Sequence, residues 1–427
     1  MHFDDNNNVI ENQSYDAILV GLSTGEDISY SMEELAGLAG AANINVLATM
    51  VQNAERVNAA TFIGSGKLEE LKDMCKNMEA DLVIFNDELS GMQLRNIEDV
   101  VDVRVIDRTI LILDIFADRA SSADGKLQVE LAQLQYRMPR LLGFGKSLSR
   151  LGGGIGTRGP GEKKLETDRR HIEHRMDEIK SELESLRKTR EVQRSKREKS
   201  ELPVVALVGY TNSGKSSLMN KLLSMEEREE KQVFEKDMLF ATLDTAQRLI
   251  TLEDNKSFIL IDTVGFVDKL PHTLVKAFKA TLEEVTKADL LLHIVDCSFS
   301  DPDFHIGVTR DVMKELNADT KEEVLVFNKI DKNPEFSGVG YPGSINISAK
   351  DGTNLDALFE IIKSKIFADI EEVEMLIPFS RGDVVSAINQ ITKPKVTEYH
   401  EDGTYLKVDL NTAARGRFAE FILPKSK

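Results

Sequence analysis

Residues 209–217 of the chain read GYTNSGKSS and directly follow the apolar run LPVVALV at residues 202–208. Two glycines five positions apart, followed by Lys215 and Ser216, match every fixed position of the phosphate-binding loop G-x-x-x-x-G-K-[ST]. The apolar run predicts a buried strand, and a helix is expected to begin near Ser216. Gly-rich turns also arise by chance, but a full match at a strand-to-helix junction favours a phosphate site.

The residue types of this loop suit an anion. Backbone N–H groups can converge on phosphate oxygens only where glycines leave room for the approach. Lys215 is expected to place its charge on the β- and γ-phosphates and Ser216 to offer its hydroxyl to Mg²⁺, while the helix directs its positive dipole end at the same anion. The predicted nucleotide contacts of the loop are Gly209, Tyr210, Thr211, Asn212, Ser213, Gly214, Lys215, Ser216 and Ser217.

Length and composition predict a soluble globular protein of two to four domains, since 41% of the 427 residues are hydrophobic and 30% are charged. The first residues are acidic and polar, so we expect no secretory signal. Apolar runs such as residues 288–295 are too short to span a bilayer. Cys75 and Cys297 lie far apart, which favours packing roles and a reducing compartment. We expect a cytoplasmic protein, with loose membrane association left open.

Before the phosphate loop, short apolar runs alternate with helical patterns. The apolar runs lie at residues 17–21, 45–48, 81–85 and 103–106, and helical patterns separate them at residues 32–41, 67–78 and 92–98. This alternation predicts a small α/β subdomain over residues 1–109 with a mainly parallel sheet. Residues 63–67, IGSGK, resemble a second phosphate loop, but the required first glycine is Thr61, so a strand-to-helix turn is favoured.

Two long helical patterns predict a helical hairpin over residues 110–200. The first runs from residue 110 to 138 and should end at Pro139. The second runs from residue 162 to 198, and its apolar positions between residues 172 and 186 advance by four and three, the spacing of a coiled-coil seam. The connecting residues 151–161, LGGGIGTRGPG, are too glycine-rich to hold one conformation alone.

The hairpin is basic in an acidic chain. The net charge is −18, yet residues 137–200 hold 18 Lys and Arg against 10 Asp and Glu. Such a segment would approach polyphosphate while the rest of the chain is repelled. A plain linker has no need of the cations around the glycines, so we favour RNA binding there. The candidate RNA contacts are Arg150, Arg158, Lys163 and Lys164. The basic run at residues 187–199 is either a solvated helix face or a second RNA contact.

Two motifs after the loop predict a nucleotide switch. Thr242, in the FATLD of residues 240–244, can complete a Mg²⁺ shell only when a γ-phosphate is present. A strand at residues 257–261 leads to Asp262, expected to reach Mg²⁺ through water, and to Gly265, whose N–H can reach the γ-phosphate. The predicted nucleotide contacts here are Phe240, Ala241, Thr242, Asp262, Thr263, Val264 and Gly265, and the predicted catalytic residues are Lys215, Thr242 and Gly265.

Two further motifs are expected to read the base. The carboxylate of Asp331 can accept hydrogen bonds from N1–H and N2–H₂ of guanine, a donor pair that adenine lacks. The predicted base contacts are Asn328, Lys329, Asp331, Ser348, Ala349 and Lys350. Five motifs in order at strand ends predict a GTP-binding domain over residues 201–370. Residues 371–427 predict a small α+β module, with a last short helix and strand.

These motifs make nearly the whole chain resemble translation-factor-related P-loop GTPases, and more closely the HflX family of ribosome-associated GTPases. The family-specific segments are FIGSGKL at residues 62–68, RVIDRT at 104–109, residues 128–140, the Gly-rich loop with GPGE at 159–162, LFATLD at 239–244 and DTVGF at 262–266. The resemblance implies a monomer that binds GTP, GDP and Mg²⁺ and contacts the large ribosomal subunit, with the hairpin reaching ribosomal RNA. It also implies GTP-dependent dissociation of stalled or idle ribosomes under stress.

Two residues bear on the expected mechanism. Ras-like GTPases carry a water-orienting glutamine directly after the D-x-x-G glycine, whereas this chain has Phe266, as in the HflX pattern. We therefore expect slow intrinsic hydrolysis that the ribosome stimulates. Asn212 lies where some cation-dependent relatives hold K⁺, and a role in tying the loop to the next motif is an equal alternative. Two other functions stay open: a GTPase of ribosome assembly, and a nucleotide-gated RNA-binding factor that prevents subunit association.

Overall fold

The computed structural model describes residues 15–148, 160–198, 202–225, 246–252, 256–269, 284–392 and 394–424. Strands of these residues form a four-stranded, a six-stranded and a three-stranded sheet. A mixed α/β fold with parallel sheets confirms the predicted fold class. The predicted domain boundaries at residues 109, 200 and 370 stay predictions.

The N-terminal unit, residues 15–119, has the predicted alternation of strands and helices. Its elements are β1 (Tyr15–Ser23), α1 (Ser29–Ala41), β2 (Ile44–Asn53), α2 (Ser65–Met78), β3 (Leu82–Phe85), α3 (Gly91–Val101), β4 (Arg104–Asp107) and α4 (Arg108–Arg119). All strands are parallel, in the order β2-β1-β3-β4. Every residue of β3 is buried, as expected for an inner strand of a parallel sheet. Ser90 and Gln93 form a capping box that begins α3.

The first predicted helix of the hairpin is in fact two helices, α4 and α5 (Ala123–Leu148). Ala120 leaves the helical region with ψ of 111°. Ser122 Oγ then accepts the N–H of Gly125 at 2.9 Å, as an N-cap does. The single helix expected over residues 110–138 is therefore wrong, because a serine cap interrupts a pattern that is apolar on both sides.

Pro139 lies inside α5 rather than at its end. A proline within a helix removes a backbone hydrogen bond and costs about 3 kcal/mol. Tertiary contacts on the same turn oppose this cost, because Tyr136 and Arg140 both donate to Asp107 at the end of β4, at 2.8 and 2.6 Å. The expected helix end at Pro139 is wrong because these contacts hold the next turn in place.

The hairpin consists of α5 and α6 (Pro160–Glu198). Leu131 of α5 packs with Met176 and Ile179 of α6 in a buried cluster. The Arg175 guanidinium pairs with Glu130 across the two helices at 2.7 Å. The predicted four-and-three spacing thus marks the face of α6 that packs on α5.

The nucleotide unit, residues 202–366, is built around the six-stranded sheet. Its elements are β5 (Val204–Val208), α7 (Lys215–Met225), β6 (Ala246–Thr251), β7 (Ser257–Asp262), β8 (Leu290–Asp296), α8 (Pro302–Glu315), β9 (Glu323–Asn328), β10 (Ile345–Asn346) and α9 (Leu355–Ile366). The strand order is β10-β9-β8-β5-β7-β6, with β6 antiparallel to β7 and every other pair parallel. The carboxyl ends of the parallel strands share one edge of the sheet, and the predicted motifs follow them there.

The C-terminal unit, residues 371–424, is the predicted small α+β module. Its elements are β11 (Glu371–Ile377), α10 (Gly382–Ile391), β12 (Val396–His400), β13 (Gly403–Leu410) and α11 (Thr412–Arg417). The strands are antiparallel in the order β11-β13-β12. The expected last strand is reduced to one bridge between Met375 and Ile422. Among the helices described here, none is long and apolar enough to cross a membrane.

Candidate functional site

The phosphate loop joins the end of β5 to the start of α7. Gly209 has a φ of +146° and Gly214 a φ of +93°, values that L side chains rarely adopt. A Cβ at Gly209 would overlap the carbonyl oxygen of Ile294 in β8, and a Cβ at Gly214 would overlap the side-chain amide of Asn328. Packing against neighbouring strands therefore requires both glycines, in addition to the room that a phosphate needs.

Lys215, the first residue of α7, is 5% exposed. Its Nζ donates to the carbonyl oxygens of Tyr210 at 2.8 Å and Gly209 at 3.1 Å. Burial lowers the pKa of Lys215 to about 8, with Asp262 raising it and Lys329 lowering it further. A weakly hydrated ammonium group inside the loop interacts strongly with an anion that enters it.

Ser216 and Asp262 form an oxygen pair beside the loop. Ser216 Oγ, in the first turn of α7, donates to Asp262 Oδ2, at the end of β7, at 2.5 Å. Mg²⁺ in nucleotide sites takes one or two protein oxygens and completes its shell with phosphate oxygens and waters. A hydroxyl and a carboxylate next to a phosphate loop are the donor set that Mg²⁺ needs, so the residues present fit the predicted metal.

The segment after β7 folds back onto the phosphate loop. The N–H of Thr211 donates to the carbonyl oxygen of Phe266 at 2.6 Å, and the N–H of Phe266 donates to that of Gly209 at 3.2 Å. A Cβ at Gly265 would lie 2.5 Å from Thr211 Cα. Gly265 thus lies against the loop, where its predicted contact with a γ-phosphate requires it.

The side chains of this segment face the protein interior. Thr263 Oγ1 donates to the carbonyl oxygen of Leu207 in β5 at 2.6 Å, and Val264 belongs to the apolar core. These two predicted contacts can therefore reach a nucleotide only through their backbone. Phe266 is 1% exposed in the same core, so its ring is withdrawn from the site where a water would attack.

The predicted base-reading residues gather after β9 and β10. Asp331 accepts the hydroxyl hydrogen of Ser348 at 2.8 Å, which joins the two base motifs. Lys329, with a φ of +67°, pairs with Asp296 at the end of β8 at 2.8 Å. Lys350 is exposed. The carboxylate that would distinguish guanine is thereby oriented by its neighbour.

Asn328 has a bracing role that the sequence interpretation missed. Its side-chain N–H donates to the carbonyl oxygen of Ser213 at 2.9 Å, and its Oδ1 accepts the N–H of Ala349 at 2.9 Å. One buried side chain thus ties the phosphate loop to both base motifs. The sequence feature that could have revealed this role is the position of Asn328 at the end of a buried strand, where a polar group needs partners within the protein.

Comparisons with known proteins agree with this geometry. Residues 29–117 match a family model described as GTP-binding GTPase N-terminal, residues 119–197 one described as GTP-binding GTPase Middle Region, and residues 204–329 one described as 50S ribosome-binding GTPase. GTPase HflX of Caldanaerobacter subterraneus subsp. tengcongensis is 46% identical over 407 residues, which cover 95% of this chain and 94% of that protein. The chain belongs to the HflX family of GTPases.

A second sequence relative agrees with the assignment. GTPase HflX of Escherichia coli is 38% identical over 395 residues, which cover 91% of each chain. The crystal structure of a GTP-binding protein from the hyperthermophilic archaeon Sulfolobus solfataricus in complex with GDP is 25% identical and covers 83% of this chain and 99% of that one, with a TM-score of 0.43. The assignment rests on the sequence relatives, and the chain is accordingly a GTPase that hydrolyses GTP.

Some predicted contacts of this HflX-family chain fall outside the described residues. They are Arg150, Arg158, Phe240, Ala241 and Thr242. Lys163 and Lys164 belong to the first turns of α6. Asn212, the candidate K⁺ ligand, is exposed with a φ of +56°, and Ser217 follows Ser216 in α7. The predicted nucleotide contacts that the structure describes thus lie in three groups: Gly209 to Ser217, Asp262 to Gly265, and the two base motifs.

The HflX-family chain also has a contact region between its N-terminal and nucleotide units that sequence reasoning missed. We call this region the seam, and it consists of Tyr30, Glu34, Arg108, Tyr210, Asp268 and His305. A cavity of about 630 Å³ opens beside it, lined partly by Thr211 and Asn212 of the phosphate loop. The sequence feature that could have revealed this contact is Glu34, a carboxylate within the apolar face of α1.

Proposed function

We propose that this HflX-family GTPase binds the large ribosomal subunit and uses GTP binding and hydrolysis to dissociate stalled or idle ribosomes under stress. The observation that supports the proposal is the basic helical hairpin, braced on the N-terminal unit of an acidic chain. Ribosomal RNA is a polyphosphate, which attracts such a segment and repels the acidic remainder. The description of the matched family, 50S ribosome-binding GTPase, agrees with this partner.

The brace that holds the hairpin is a buried ion pair. Arg140 of α5 pairs with Asp107, which is fully buried, at 2.6 Å, and donates to the carbonyl oxygen of Leu89 at 2.8 Å. Its guanidinium also lies 3.5 Å from the centre of the Tyr136 ring. A Cβ at Gly91 would approach Arg140 Cα to 2.9 Å, so a glycine lets α3 and α5 meet closely. The brace fixes α5 ten residues before Arg150.

The nucleotide site would control this binding. In the proposed active state, Ser216, Thr242 and, through water, Asp262 hold Mg²⁺, which neutralises charge on the phosphates when bound. Lys215 binds the β- and γ-phosphates, and the Gly265 N–H binds the γ-phosphate. Since the Phe266 ring is buried in the core, hydrolysis by the isolated chain should be slow. The ribosome is then the partner that supplies or orders the missing group.

The test is GTP turnover by the purified chain, alone and with large subunits or whole ribosomes, followed by sedimentation of the ribosomes. We expect stimulation of turnover by at least tenfold, and conversion of whole ribosomes to subunits with GTP. Unstimulated turnover with intact ribosomes would contradict the proposal and favour an assembly GTPase. If Lys215→Ala dissociated ribosomes as well as wild type, an anti-association factor that needs no turnover would be favoured instead.

A charge-matched pair of variants tests the hairpin. Replacing Arg158, Lys163 and Lys164 by alanine should weaken ribosome binding by at least tenfold. It should also reduce the salt dependence of binding, because a variant that contacts fewer phosphates releases fewer counterions when it binds. The control replaces Arg169, Arg170 and Lys180, whose cations pair with acidic neighbours on α6. We expect the control to bind within about twofold of wild type. Equal losses in the two variants would show that net charge alone matters.

A further inference from the structure

Tyr210 is the second residue of the phosphate loop, yet its side chain enters the seam. It is 2% exposed, and its ring stacks on His305 with centroids 3.9 Å apart. A loop residue whose role was limited to backbone contacts with phosphate would not need a buried phenol. The partners of its hydroxyl therefore indicate what else it does.

The Tyr210 hydroxyl is part of a closed ring of hydrogen bonds. It accepts the N–H of Asp268 at 2.7 Å and donates to Glu34 Oε1 at 2.5 Å. Arg108 pairs with the other carboxylate oxygen of Glu34 and donates to the Asp268 carbonyl oxygen at 3.2 Å. The two backbone groups of Asp268 are thus held by two buried side chains, Tyr210 and Arg108, which Glu34 joins. Glu34 and Arg108 belong to the N-terminal unit.

This ring fixes the backbone directly after Gly265. The N–H of Phe266 is taken by Gly209, and the N–H of Asp268 is taken by Tyr210. Among the described residues, the structure gives the N–H of Gly265 no hydrogen-bond partner. The segment is therefore held on the far side of Gly265 while the N–H of Gly265 stays available to a ligand.

We propose that Tyr210 is a positioning residue that sets the preference of the site for GTP over GDP, and that Glu34 and Arg108 hold it from the N-terminal unit. This inference rests on the proposed contact between Gly265 and the γ-phosphate. A donor fixed before binding loses little conformational freedom when the phosphate arrives, so its hydrogen bond contributes more to affinity. GDP has no γ-phosphate and gains nothing from the arrangement. The N-terminal unit thereby senses which nucleotide is bound.

The test compares affinities for GTPγS and GDP, measured by calorimetry on the full chain with Mg²⁺. Tyr210→Phe removes the hydroxyl but keeps the ring that stacks on His305. We expect GTPγS affinity to fall about five- to tenfold, the typical effect of one hydrogen bond, with GDP affinity within about twofold of wild type. Glu34→Gln should act in the same direction. The double variant should lose no more than the stronger single variant, since both interrupt one ring.

Tyr341→Phe is the matched control, because it removes a phenol hydroxyl of the nucleotide unit that donates to Asp303 at 2.9 Å and belongs to no part of the ring. Both affinities should stay within about twofold of wild type. An equal loss of affinity for GTPγS and for GDP in Tyr210→Phe would indicate that Tyr210 has only a structural role. Unchanged affinities for both nucleotides would show that the Tyr210 hydroxyl does not position the site. Each of these results overturns the inference. Glu34→Gln is not needed for this decision if it folds poorly.

Gly265→Ala separates this inference from its premise. If that variant keeps the wild-type preference for GTPγS, the proposed γ-phosphate contact is wrong and the inference fails with it. Alanine keeps the N–H and its Cβ would press on Thr211, so loss of GTPγS affinity in Gly265→Ala supports the contact only when GDP affinity is kept. If both Gly265→Ala and Tyr210→Phe lose GTPγS affinity and keep GDP affinity, the contact and the inference both stand. If only Gly265→Ala does so, the contact stands and positioning by Tyr210 is wrong.

Discussion

The phosphate loop and the seam share Tyr210, but the sequence encodes them in different ways. The loop draws its functional groups from nine consecutive residues, 209–217. The seam joins residues 74 positions apart in the Glu34–Arg108 pair, 176 apart in the Tyr210–Glu34 bond and 275 apart in the Tyr30–His305 bond. Local chemistry therefore follows from spacing, whereas coupling to the N-terminal unit depends on tertiary structure. The two regions should also respond differently when charged residues are removed.

The largest effect on stability is expected at the seam. Glu34→Ala leaves the Arg108 guanidinium, 2% exposed, buried without its carboxylate. Breaking a buried ion pair in this way costs about 3 to 5 kcal/mol, because the remaining charge is desolvated and uncompensated. We expect the free energy of unfolding in urea to fall by this amount. The control is Glu33→Ala, which removes the same charge from an exposed neighbouring position and should change the free energy by less than about 0.5 kcal/mol.

Equal free energies for the two variants would contradict this view of the seam. They would mean that Glu34 and Arg108 contribute no more than a surface pair. The seam would then be a contact that either unit could release without cost.

The phosphate loop should show the opposite response. Lys215→Ala is expected to slow GTP hydrolysis about 100-fold, since one preorganised cation at the developing charge is lost. The free energy of unfolding should stay within about 1 kcal/mol of wild type, because the burial that lowers the pKa of Lys215 also opposes its charge in the folded chain. Single-turnover hydrolysis and urea unfolding measure the two quantities. Lys221→Ala, on the same helix, should change neither. A large loss of stability in Lys215→Ala would remove the contrast with the seam.

The sequence was sufficient for the loop because each position there meets a local requirement. The φ of Gly214 requires a glycine, and Lys215 must come next so that its Nζ can turn back to the loop. The N-terminal sheet was also predictable, since runs such as residues 82–85 are buried on both faces and alternate with helices. These features depend on neighbours within about one element.

Elsewhere tertiary contacts decided the structure. Pro139 is a local signal for a helix end, yet α5 continues because Arg140 is held by Asp107, 33 positions earlier. Asn328 belongs to a recognisable motif, but its bond to Ser213 spans 115 positions and gives it a second role. Glu34 and Arg108 match no functional motif individually. A pair of this kind can be inferred only after the order of the strands in the sheet is known.

The seam also predicts a pH dependence, which is the smallest of these effects. His305 is stacked between Tyr210 and Phe299, with ring centroids 3.9 and 4.1 Å away. Burial lowers the pKa of His305 from 6.5 to about 4; Asp296 and Asp301 raise it, and His293 and Lys329 lower it. Between pH 6.5 and 4 the unfolded chain therefore binds more protons at this imidazole than the folded chain does. The free energy of unfolding should fall as the pH falls through this window.

The expected size follows from the two pKa values. Between pH 7 and pH 5, His305 should account for a loss of about 2 kcal/mol. His305→Phe keeps an aromatic ring in the stack and cannot take up a proton, so its free energy of unfolding should fall less steeply by that amount. His171→Phe removes an exposed imidazole of α6 and should keep the wild-type slope. If the free energy of unfolding of His305→Phe and of wild type fell equally steeply from pH 7 to 5, protonation of His305 would not destabilise the seam. His305 would then make no contribution to the pH dependence of the seam in this range.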